Sequence, residues 1–135
     1  MASNAEKLKI YDLTFKFTLY VTTVVANMNH KHKFTIGDRI IVALDKLEDQ
    51  IIAANRERQP KVAAEIVYNA MTTLEQISGK LRRAVALNLI SDKQKANCDM
   101  AIVDIRHQAA NWSNYFIRKA GENGDTRKTS PESQE

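Results

Sequence analysis

From Ile10 onward, apolar residues return every three or four positions, and the sequence divides into four such runs separated by short polar breaks. In the first run, Ile10, Leu13, Phe17, Val21, Val24 and Met28 mark one face of a helix, a spacing that strands do not produce. Ser3 and Glu6 have capping-box spacing, which predicts a start near Ser3 or Asn4 and an end near Met28. The second helix is expected to open at Thr35, with Asp38 three residues on. It presents Ile36, Ile40, Leu44, Leu47, Ile51 and Ala54, and stops near Glu57 because Pro60 excludes helical geometry from Gln59. Pro60 is itself a favourable first residue for the third helix, which runs to about Leu87 with Val67, Ala70, Leu74, Ile77, Leu81 and Ala84 along a seam and Gly79 off it. Ser91 and Gln94 form a further capping box, and Cys98, Ile102, Ile105, Ala109, Trp112 and Phe116 line the fourth.

Long helices with short connections predict an all-α fold, an antiparallel up-down-up-down four-helix bundle over residues 1–120. The residues from Gly121 to Glu135 have almost nothing apolar to bury, so 121–135 is expected to be a disordered polar tail.

The first helix has more to hide than a four-helix core covers. Phe17 through His30 contains no Asp, Glu, Lys or Arg, and Tyr11, Phe15, Thr18, Thr22 and Val25 form a second stripe beside the first. This excess predicts self-association, with Phe15, Tyr20, Thr22 and Val25 in the contact between subunits.

Charge sharpens the picture. The net charge is +4, yet the tail sets Arg127 and Lys128 against Glu122, Asp125, Glu132 and Glu135, which leaves +6 on the helical body. A body of that sign attracts polyanions, with nucleic acid foremost. Antiparallel packing would bring Lys31, Lys33, Arg39, Lys80, Arg82, Arg83, Lys93 and Lys95 to one end of the bundle as a phosphate-binding surface. The opposing explanation is that cations near helix C-termini, such as Lys80, Arg82 and Arg83, only balance the helix dipole. With the aromatic residues mainly on core stripes, phosphate or RNA-shape recognition is expected in preference to base stacking.

Catalytic patterns are missing from the sequence. It has no Gly-rich phosphate loop and no Cys/His zinc pattern. Asp104 and His107 imitate half of a di-metal motif, but Ile105 belongs to the core stripe, so they are expected to face outward, and no second copy exists. His30 and His32 are flanked by Lys31 and Lys33, which disfavour a cation. Asp45, Glu48 and Asp49 read as a solvated face. The expectation is no enzyme, no metal, no cofactor and no small-molecule substrate. A lone Cys98 on the apolar stripe reads as packing, and single-cysteine usage fits a reducing cytoplasm. No apolar run reaches the ~18 residues a membrane span needs.

The run Phe34-Thr35-Ile36-Gly37-Asp38-Arg39-Ile40, with Ala53-Ala54-Asn55-Arg56, Leu89-Ile90-Ser91-Asp92-Lys93-Gln94 and Trp112, resembles the accessory variability determinant family. These are small four-helix-bundle proteins of diversity-generating retroelements, distantly similar to proteins encoded in ribosomal RNA intervening sequences. The resemblance spans about Tyr11 to Ile117. It implies a pentameric barrel that binds a reverse transcriptase and its structured template RNA, supporting mutagenic cDNA synthesis without catalytic residues of its own. Arg39 would then be either a helix-start residue or a phosphate contact. The chain departs from the resemblance at Ala110-Asn111, where similar sequences often have paired glycines. Two alternatives remain open: a general RNA-binding or ribosome-associated bundle with no polymerase partner, and a protein-protein adaptor.

Overall fold

The computed structural model describes the backbone of residues 2–127 and the side chains of residues 9–122. Its regular elements are all helical: α1 (Ala2–Ala26), a single turn α2 (His30–His32), a π-helical turn (Lys33–Gly37), α3 (Asp38–Arg56), α4 (Pro60–Ala86) and α5 (Asp92–Arg127). The four long helices pack in a ring, α1 on α3, α3 on α4, α4 on α5 and α5 on α1. None of the described helices is long and apolar enough to cross a membrane.

The core follows the spacing in the sequence. On α4, Ala63, Val67, Ala70, Leu74, Ile77, Leu81 and Ala84 alternate steps of four and three, and all are buried. Strict alternation keeps one seam inward over the whole helix. Trp112 on α5, wholly buried, is the largest side chain in that core. The same alternation runs through Ile10, Thr14, Phe17, Val21 and Val24 on α1 and Met28 just beyond it, so Thr14 is buried and Leu13 only half-buried, a one-position correction to the expected stripe.

Both ends of the α4–α5 connection are locally determined. After Ala86 the chain turns through Asn88, the one non-glycine with positive φ among the described residues, at 59°. The Leu89 N–H donates to Ala84 O at 2.8 Å and the Asn88 N–H to Val85 O at 2.9 Å, the paired bonds of a Schellman ending. Asparagine tolerates the left-handed region better than most residues. Two residues later the expected capping box forms: the Gln94 N–H donates to Ser91 Oγ at 3.0 Å, and the Ser91 N–H to Gln94 Oε1 at 2.8 Å.

The α1–α3 connection differs from expectation. Thr35 does not cap a helix; it lies inside the π-turn and its hydroxyl donates to His32 O at 3.3 Å. Asn29 caps instead, accepting the Lys31 N–H at 2.9 Å, and the Asp38 N–H reaches back five residues to Lys33 O. Tertiary contact explains the change. Gly37 is buried so closely against α1 that a Cβ there would stand 2.8 Å from Val25 Cγ1. Val25 therefore belongs to the core, 4% exposed, and not to the predicted subunit contact.

A second correction concerns the tail. α5 continues past Gly121 to Arg127, so the expected disordered segment does not begin at 121; residues 128–135 lie outside the described residues. Extending an existing helix gains one hydrogen bond for each residue fixed, which costs far less than starting a new one.

Two glycines should respond oppositely to the same substitution. Gly37→Ala forces a methyl group against a stiff β-branched side chain and is expected to destabilise by about 1–3 kcal/mol. Gly79 sits mid-helix with open space around its Cα, and Gly79→Ala should stabilise by about 0.5–1 kcal/mol. Urea unfolding of the two variants checks the pair.

Candidate nucleic-acid interface

Between the π-turn, α3 and α4 lies a groove of about 540 Å³. Its position follows from helix geometry: Asp38, Arg39, Val42 and Lys46 recur at three and four residues on the outer flank of the α3 seam, while Gln76 and Lys80 face them from α4. Phe34 and Thr35 close one end from the π-turn. Phe34 and Val42 are 62% and 68% exposed, and Ala43 joins them at the wall. Phe34 is held edge-on against His30, ring centroids 4.9 Å apart.

Three cations border the groove, Arg39, Lys46 and Lys80, against one carboxylate, Asp38. None of the four takes part in an ion pair among the described residues. The groove thus joins two of the predicted phosphate contacts, Arg39 and Lys80, and adds Lys46, Phe34 and Val42, which sequence reasoning missed. The spacing 39-42-46 carried a signal for Lys46 and Val42, but it was obscured by the acidic neighbours Asp45, Glu48 and Asp49.

The other expected basic residues are dispersed. Lys31 is exposed on α2, Lys33 half-buried on the π-turn, Arg82 and Arg83 exposed near the end of α4, and Lys93 exposed on the first turn of α5. These five do not line the groove. Lys95 is committed elsewhere, its Nζ 2.6 Å from Asp99 Oδ1.

The expected subunit contact is only partly on the surface. Phe15 is 58% exposed and Thr22 is exposed, its hydroxyl donating to Thr18 O at 2.6 Å. Tyr20 is half-buried, and its hydroxyl accepts a hydrogen bond from Asn97 Nδ2 at 3.0 Å. Leu19, 56% exposed, completes a seam with Phe15, Thr22 and Ala26 that the sequence reading did not single out. Met100, Val103 and Ile117 on α5 are also exposed, on the same side as Ala110 and His107. Thr18, by contrast, turns inward, with Oγ1 2.9 Å from Glu48 Oε2 and 3.0 Å from Phe15 O.

Asp104 and His107 are exposed on either side of buried Ile105. Among the described residues no group of three or more His, Cys, Asp or Glu side chains is placed to hold a metal ion. A second cleft, about 430 Å³ between α4 and α5, is crossed by the ion pair of Glu75 with Arg106 at 3.5 Å and carries no comparable charge excess. Compared with known proteins, the chain matches no family, no curated sequence and no solved structure.

Cys98 is fully buried. Burial, and then the neighbouring Asp99, push its thiol from 9.0 up to about 11, with Lys95 pulling the other way. The thiolate that reacts with electrophiles is therefore scarce at neutral pH. In the unfolded chain the thiol ionises near 9, before the folded one does, so alkaline pH favours unfolding. Stability should fall more steeply between pH 9 and about 11 in the native chain than in Cys98→Ala, as read by denaturant midpoints across that range.

Proposed function

We propose that this chain is a non-catalytic, homo-oligomeric RNA-binding protein that serves as the accessory subunit of a reverse transcriptase in a diversity-generating retroelement. The observation that carries the RNA-binding part is the groove where Arg39, Lys46 and Lys80 gather without ion-pair partners among the described residues. Unneutralised cations on a positively charged body attract phosphate at long range and release counterions on contact. Arg82, Arg83, Lys31, Lys33 and Lys93 extend this field around the same chain connections.

The polymerase part is supported by the resemblance of the Phe34–Ile40 run and its companion segments. In this reading RNA held by the bundle stays close to the enzyme, raising its effective concentration there. The assembly is a pentamer of bundles in the reducing cytoplasm, each bundle running up-down-up-down. The short connection from Arg56 to Pro60 supports an antiparallel order of α3 and α4. Exposed seams on α1 and α5, adjacent in the ring, supply apolar area for subunit contact.

RNA affinity measured against salt tests the first part. Phosphate contacts give a log–log slope of about −0.7 per single-strand phosphate neutralised. Changing Lys80, Arg82 and Arg83 together to Gln should flatten the slope by about two. A slope near zero in the native chain favours the protein-protein adaptor. Co-purification with a neighbouring reverse transcriptase tests the second part; RNA binding without it favours the intervening-sequence type.

Leu19→Asp places a charge in the α1 seam without touching the core and should reduce the particle mass in light scattering. Retention of the native mass would count against an α1 interface.

A further inference from the structure

We propose that the groove between the π-turn, α3 and α4 is a single-nucleotide pocket that takes an unpaired base bearing an exocyclic amine, with Phe34 as the stacking platform. This rests on the RNA-binding reading above and deepens it: phosphate attraction alone needs no exposed aromatic ring, yet one is present among the cations.

The groove offers each part of a nucleotide a matching surface. Phe34 supplies a π-face and Val42 an aliphatic wall for a flat heterocycle. Stacking on an aromatic side chain is a main source of affinity for single strands and accepts any base. The His30 ring, set edge-on to Phe34 at 84°, buttresses the platform. Arg39, Lys46 and Lys80 stand around the same space and suit the phosphates on either side of the base. A volume of about 540 Å³ lies within the range of small-ligand sites.

Asp38 and Gln76 decide between candidate occupants. An acidic peptide is the other ligand that cations around an apolar floor would suit, and Asp38 repels its carboxylates as it repels phosphate, so the distinction lies in the hydrogen bonds the two side chains offer. Toward a base Asp38 is an acceptor for an amino group, as in adenine or cytosine, and Gln76 provides both a donor and an acceptor for a base edge. Uracil lacks the amine and offers only its ring N3–H, flanked by two carbonyl oxygens that a carboxylate repels. A base within a duplex is already stacked and cannot reach Phe34, so the pocket selects loops and single strands.

The test uses the full chain and short single-stranded RNAs carrying one 2-aminopurine, whose fluorescence is quenched on stacking. Native protein should quench the probe, and Phe34→Ala should abolish the quenching and weaken single-strand binding by roughly five- to a hundred-fold. Phe34→Trp should retain affinity, with its own emission altered by the oligonucleotide. Because Phe34 is largely exposed, circular dichroism should show both variants folded. Asp38→Ala should narrow the preference for oligo(A) or oligo(C) over oligo(U). Native binding of RNA with Phe34→Ala equally tight would overturn the pocket while leaving the wider RNA reading intact. Failure of the native chain to bind RNA at low salt would overturn both. If an acidic peptide with a leucine anchor perturbs Trp emission in Phe34→Trp and RNA does not, the groove is a peptide site and the proposal fails.

Discussion

The close approach of Gly37 to Val25 fixes the geometry on which the groove depends. With no Cβ, the backbone at Gly37 can lie directly on α1, and the chain reaches that position through a helical turn wider than α. The π-turn then places Phe34 and Thr35 at one end of α3, where Arg39 follows within a turn and Lys80 faces them from α4. A bulkier residue at 37 would move the platform and the first cation together. Local packing at the buried side of the connection therefore determines what its outer side presents.

The surrounding bundle holds this connection in place without taking part in it. α4 contributes a seven-position seam and contacts both α3 and α5, so Lys80 and Gln76 sit on a helix whose orientation is settled along its whole length. The paired bonds around Asn88 and the reciprocal bonds of Ser91 and Gln94 do the same for the connection to α5. Such local closure satisfies backbone groups that would otherwise be left without partners at helix ends. Pocket and scaffold are thus distinct: the seams set stability, and the flanks beside them set surface chemistry.

The sequence revealed most where the determining interaction was local or periodic. The capping box at Ser91, Pro60 at the start of α4 and the α4 seam are written within a few residues of where they act. Expectation failed where a distant part of the chain decided. Thr35 and Asp38 have the spacing of a cap, but burial of Gly37 on α1 draws them into a π-turn. Val25 sits on the flank of α1 that looked surplus until the connection folded over it. Phe34 belongs to none of the four periodic stripes, and only three-dimensional placement reveals it as an exposed ring among cations. The charges themselves were legible; which of them would lack ion-pair partners was not, as Lys95 with Asp99 illustrates.

The π-turn makes the number of residues in the connection a determinant in its own right. In an α-helix each residue rotates the chain by about 100°, so a one-residue deletion between Asn29 and Asp38 that restored regular hydrogen bonding would swing Phe34 to another side of the molecule while changing no side chain in the core. The number of residues in that stretch is thus as constrained as the identities of Phe34 and Gly37 within it.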